Sequence, residues 1–101
     1  GKDYVKLLLN LLSSSVTALP RGGEIAVSII GTLEQPSFEI RCKGNRARPP
    51  QYLTDIVAGT SDGELNAMNI QAYYTWRLAG ITGMPIEILQ DGEDILLAAR
   101  N

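Results

Sequence analysis

Pro20 and the Arg21-Gly22-Gly23 turn behind it constrain this chain more than any other feature, because the apolar period changes across them. Before the proline, Tyr4, Val5, Leu8, Leu9, Leu12, Val16 and Leu19 recur at three- and four-residue spacing. That spacing predicts an amphipathic helix with Asp3 as its N-cap. After the turn, residues 24–30 alternate, with Ile25, Val27 and Ile29 on one side, as a strand does. A helix stopped by proline and followed at once by a strand folds the strand back beside the helix. Asn10, Ser13, Ser14 and Ser15 are weak helix formers expected on the less apolar face, so packing of the leucines on a sheet must hold the helix.

The remaining punctuation gives the other elements. Residues 31–36 are of hairpin length, and residues 37–42 alternate again, which places Phe38, Ile40 and Cys42 on the inward face. A basic, apolar-poor loop ends in Pro49-Pro50, which sets up a short helix over Gln51–Ala58. Residues 59–63 break it. A further helix is predicted over residues 69–79, closed by Gly80 and Gly83. Two strands follow, over residues 85–89 and 94–99, joined by a turn centred on Asp91-Gly92. Helix, hairpin, helices, hairpin is the order of an α/β fold: a two-layer α/β sandwich with an antiparallel or mixed sheet and helices on one face. The 101 residues suffice for one such domain and show no internal repeat or linker.

The chemistry open to these residues is narrow. The chain has no histidine, so within it no histidine serves as base, metal ligand or phosphate carrier. A single cysteine precludes an internal disulfide and fits a reducing compartment, so a cytoplasmic location is expected. The apolar runs are far shorter than the ~20 residues of a membrane span. A net charge of −2 offers no general attraction for nucleic acid or an anionic membrane, and neither is expected as a partner. Asp55, Asp62 and Glu64 lack the spacing of a calcium loop and read as solvated surface; no metal or cofactor is implied. Arg21-Gly22-Gly23 leads into a strand instead of a helix N-terminus, which makes it a turn and not a phosphate loop. The opening Gly1-Lys2-Asp3 lacks a signal-peptide pattern and reads as the start of a piece of a longer protein.

Three features remain as candidates. Cys42 lies between Arg41 and Lys43, which would activate an exposed thiol; its strand position instead predicts a small buried hydrophobe. Arg41, Lys43, Arg46 and Arg48 place four of the nine basic residues within eight positions. Such a loop either attracts an acidic protein surface or a phosphate, or is simply solvated. No aromatic residues interleave with it, against single-stranded nucleic acid. Tyr73, Tyr74 and Trp76 cannot all face one side of a helix, so at least one is expected to be part-exposed beside Arg77, as a contact anchor or as the edge of the core.

The stretch from Asn10 through Leu11, Leu12, Ser13, Ser14, Ser15, Val16, Thr17, Ala18, Leu19, Pro20, Arg21, Gly22, Gly23, Glu24, Ile25, Ala26 and Val27 resembles the N-box helix and first strand of histidine-kinase ATP-binding domains. Their pattern reads N-L-L-x-N-A-x-K-[FY]-[TS]-P-x-G-G-x-I-x-V. The later elements follow in register, including a lid-like region over residues 59–68 and Gly83-Met84-Pro85-Ile86-Glu87-Ile88. Asn10 keeps the first asparagine of the box. Ser14 stands where a magnesium-binding asparagine would be, and Thr17 where a phosphate-contacting lysine is common. Cys42 replaces the aspartate that accepts from the adenine amino group, Arg46 replaces a glycine of the same box, and Asn69-Ile70-Gln71 stands where a glycine motif would open the lid helix. Losing that acceptor alone costs roughly 1–3 kcal/mol of nucleotide binding.

A kinase-like scaffold with these erasures is similar to the C-terminal domain of the alphaproteobacterial histidine phosphotransferases of the ChpT type. The resemblance implies a single degenerate histidine-kinase ATPase-like domain over residues 1–101, belonging to a two-component phosphorelay protein. A helical hairpin outside this chain would carry the phosphorylated histidine and the homodimer contact. The implied partners are response-regulator receiver domains and the receiver of a hybrid histidine kinase. The chain itself is not expected to be catalytic. The docking residues expected from chemistry are Arg46 and Arg48, with Tyr73 or Trp76 as apolar anchor. The competing expectation is a functional ATP-binding domain of a sensor histidine kinase, for which Asn10 and the retained turn speak.

Overall fold

A computed structural model, described over residues 2–101, contains helix α1 (Lys2–Thr17), strands β1 (Glu24–Gly31) and β2 (Pro36–Lys43), helices α2 (Gln51–Ala58) and α3 (Ile70–Thr82), and strands β3 (Ile86–Asp91) and β4 (Asp94–Ala99). The strands form one sheet in the order β1-β2-β4-β3. Every neighbouring pair is antiparallel, so the mixed arrangement left open by the sequence does not arise. The helices connect two hairpins, and the second hairpin returns with β4 running against β2. The β3–β4 turn is tighter than predicted: Asp91 pairs with Asp94, leaving Gly92 and Glu93 as the loop.

Register follows the pleat. Ile25, Val27 and Ile29 of β1 lie opposite Cys42, Ile40 and Phe38 of β2. Those three lie opposite Ile95, Leu97 and Ala99 of β4, which carries the apolar layer across the sheet. Helix α1 packs on β2 and α3, while α2 packs on α3 and β3. Phe38, Ile40, Cys42, Ile95 and Leu97 are therefore buried beneath Leu7, Leu11, Leu53 and Met84. The opposite face carries cross-strand charges: Arg41 meets Asp91 at 3.0 Å and Asp94 at 3.1 Å, and Arg100 meets Glu39 at 3.0 Å and Glu87 at 3.1 Å. The hydrogen bonds that the Arg41 guanidinium donates to Asp91 and Asp94 hold its pKa above the ordinary value. Pairs this exposed contribute little net stability.

Two expectations are corrected. The buried face of α1 is Leu7, Leu11, Ser14 and Ser15, and Val5, Leu9 and Val16 face solvent; Asp3 lies inside the helix, not at its cap. The leucine run satisfies the helical period on more than one face, and the serines win the inner one because they are small enough to let the helix approach β2. The Ser15 hydroxyl donates back to the Leu11 carbonyl at 2.8 Å, so its burial leaves no polar group unsatisfied. The second correction concerns β1, whose side chains alternate as predicted while Val27 and Ile29 stay 42% and 64% exposed. The helices pack over β2 and β3, and β1 is the edge strand on the far side from α2.

Candidate functional site

The loop between β2 and α2 is pinned to the end of α1 by the Arg48 amide, which donates to the Ala18 carbonyl at 3.0 Å. Pro50 then starts α2 at φ −59°, and Gly59 ends it in the left-handed region at φ 76°. Between the end of α1, this loop and the start of α3 lies a cleft of about 380 Å³. Ser14 and Thr17 line it from α1, Arg48, Gln51 and Tyr52 from the loop and α2, and Met68 and Gln71 from the approach to α3. The far wall is braced by Asn69, whose side-chain amide donates to the Glu64 carbonyl at 2.7 Å and whose Oδ1 accepts from the Asn66 amide at 2.9 Å.

Inside the cleft the polar groups are unevenly satisfied. The Thr17 hydroxyl donates to the Ser14 carbonyl at 2.6 Å. The Ser14 hydroxyl belongs to a residue only 8% exposed and has no hydrogen bond to any described residue. Asn10 lies elsewhere: its amide donates to the Lys6 carbonyl at 2.8 Å on the helix surface, and it does not line the cleft. Among the described residues no group of three potential ligands converges on a metal position. Asp62 instead caps its own turn by accepting from the Glu64 amide at 3.0 Å.

Cys42 is in the core, as its strand position predicts, and its thiol reaches the Ser15 carbonyl at 3.9 Å. Burial pushes the thiol pKa up. An acid whose pKa is higher folded than unfolded stabilises the fold fully below the unfolded value and less as pH rises through the folded one. We expect alkylation of Cys42 by iodoacetamide at pH 8 to require unfolding, and stability to begin falling once pH passes the ordinary thiol value of 9.0. Alkylation at the rate of a free thiol in the native protein is the contrary result.

The four candidate docking residues are spread over the surface. Arg46 is exposed, adopts a left-handed backbone at φ 60°, and lines a shallow depression of about 290 Å³ with Gln90, Gly92 and Glu93. Arg48 lines the cleft beside α1. Tyr73 is half-buried, its hydroxyl 2.8 Å from that of Ser61. Trp76 is 49% exposed and lines a groove of about 760 Å³ together with Val57, Arg77, Ile81, Pro85 and Ile86. Sequence reasoning singled out Trp76 and Arg77 but missed Val57, Ile81 and Pro85. Those residues come from α2, α3 and the segment leading into β3, and only the packing of α2 and α3 beside β3 makes them one surface.

Comparison with known proteins shows what the chain is similar to. Residues 1–94 match the family described as histidine phosphotransferase C-terminal domain. The chain is 40% identical over 99 residues to the protein phosphotransferase ChpT of Brucella abortus (strain 2308), covering 97% of this chain and 47% of that protein. The solved structure of a bacterial phosphotransferase superposes with a TM-score of 0.92 at 40% identity, over 98% of this chain and 49% of that one. The chain thus spans about half the length of the relatives it matches.

Proposed function

Since this chain belongs to the histidine phosphotransferase C-terminal domain family, we propose that it serves a two-component phosphorelay by docking receiver domains and that it does not use ATP. Partners on this reading are response-regulator receivers and the receiver of a hybrid histidine kinase, and the setting is cytoplasmic. The phosphorylated histidine lies outside the chain, which contains none. The protein would pair into a homodimer through the helical hairpin that carries that histidine.

The observation that carries the reading is Cys42. At the position where the kinase pattern has an adenine-binding carboxylate, the chain has a fully buried thiol against the Ser15 carbonyl. A thiol is a weak acceptor, and one sealed in the core offers the adenine amino group nothing. Asn10, the retained residue of the box, spends its amide on its own helix. These features favour a scaffold kept for protein contact over the competing sensor-kinase reading. Isothermal titration with Mg·ATP is expected to give no binding tighter than about 1 mM, an interaction worth only about 4 kcal/mol. Micromolar affinity would restore the kinase reading.

For docking, Trp76 is the stronger of the two aromatic anchors, because the Tyr73 hydroxyl is engaged by Ser61 and the ring is half-buried. Arg77 beside Trp76, with Arg46 and Arg48 further round the surface, gives the positive charge that suits the acidic surroundings of a receiver's phosphorylated aspartate.

A further inference from the structure

We propose that the groove beside Trp76 receives one amphipathic helix of the partner, with a carboxylate on that helix meeting Arg77. The inference rests on the docking role proposed above and adds which element of the partner enters and what it carries. Gly80 gives the strongest reason. It lies inside α3, where glycine weakens a helix relative to alanine, yet nothing in the fold calls for it. Its φ is negative, and a Cβ added to it would meet nothing within 4 Å. The space left by the missing side chain opens into the groove. A second helix seated there would use that space, because the distance between packed helices is set by the side chains at their contact. The lining decides the charge. Arg77 is the only charged residue in it, is exposed, and among the described residues has no salt-bridge partner. Every other lining residue is apolar or glycine, so an apolar ridge flanked by an acidic group fits and a basic one is repelled. The backbone decides the secondary structure. Where α3 ends at the groove, the Gly83 and Met84 amides already donate to the Gly80 and Ala79 carbonyls at 3.2 and 2.9 Å. Strand β3 reaches the groove only at Ile86, and Pro85 before it has no N–H. An extended segment would find no ladder to join, whereas a helix pairs its own backbone and needs only apolar surface.

The test is the affinity of the full-length protein for a response-regulator receiver domain of its own organism, measured by surface plasmon resonance. Gly80→Leu places a side chain in open space and so fills the groove; it should weaken binding about tenfold or more while the melting temperature holds or rises. Arg77→Glu, which leaves the groove open, should also weaken binding about tenfold. Lys6→Glu makes the same charge change at an exposed position outside the groove and should stay within about twofold. Replacing the receiver's carboxylates by lysine one at a time should find one, on a helix, that restores binding to the Arg77→Glu protein, as a charge pair in contact requires. Restoration only by a loop or strand carboxylate, or by none, would overturn the helix. Unchanged affinity in both Gly80→Leu and Arg77→Glu would overturn the groove as its seat and leave docking elsewhere on the surface intact. A receiver that does not bind the unaltered protein would overturn the docking role itself, and this inference with it.

Discussion

Gly23→Ala will destabilise the protein by about 3 kcal/mol, the sum of a forbidden backbone conformation and a steric clash. Gly23 has φ +145°, and an added Cβ would overlap the Lys43 carbonyl and come within 2.9 Å of Gly44 Cα. Both contacts are to backbone, which has no rotamer to escape into. Gly44 faces the same junction, where a Cβ would meet the Gly22 carbonyl and the Leu19 side chain. The turn after α1 therefore crosses the end of β2 at backbone contact distance, next to the Glu24 and Lys43 pair that begins the β1–β2 ladder. Gly22→Ala is the matched control: φ is +76°, nothing lies within 4 Å of the added methyl group, and the left-handed penalty alone should cost about 1 kcal/mol. Thermal unfolding followed by circular dichroism should separate the two, at about 4–8 °C per kcal/mol for a domain of this size. Equal shifts for the two variants would mean that the crossing is not tight.

The second large effect concerns partner binding. Trp76→Ala should weaken the binding of a receiver domain by about thirtyfold, or roughly 2 kcal/mol, as loss of a central aromatic anchor does. The ring is half-exposed at the mouth of the groove formed with Val57, Arg77, Ile81 and Pro85, so its removal takes little from the core. Arg46→Glu with Arg48→Glu should act differently, slowing association and reversing its salt dependence, because charges at a rim steer encounter more than they hold the complex. Surface plasmon resonance on the full-length protein distinguishes the two classes. A Trp76→Ala protein that binds receiver with unchanged affinity would remove the groove from the docking surface.

Much of the architecture was legible because the local signals agree. The α2 boundaries follow from Pro50 and Gly59, and β4 from the apolar run behind the Asp91-Gly92 turn, since each depends on neighbours within a few residues. The inward set Phe38, Ile40 and Cys42 was legible for the same reason: the pleat alternates side chains whatever the strand packs against. Helix α1 failed where the local signal was degenerate. With Leu7, Leu8, Leu9, Leu11 and Leu12 nearly consecutive, periodicity does not choose a face. The burial of Ser14 and Ser15 instead of Val16 was decided by how closely the helix must approach β2.

The site divides along the same line. Sequence by itself determined which chemistry is absent, because the lack of histidine and of a carboxylate at position 42 is a matter of covalent identity that no fold can repair. It also determined where the chain must turn, since proline and glycine act through their own dihedral limits. Only tertiary structure decided that Arg48 and Ser14 share one cleft while Trp76 opens on another, that Asn10 faces away, and that β1 is left half-bare at the edge. Those outcomes depend on contacts between residues far apart in the chain, and a pattern of neighbours carries no information about which distant surface will cover it.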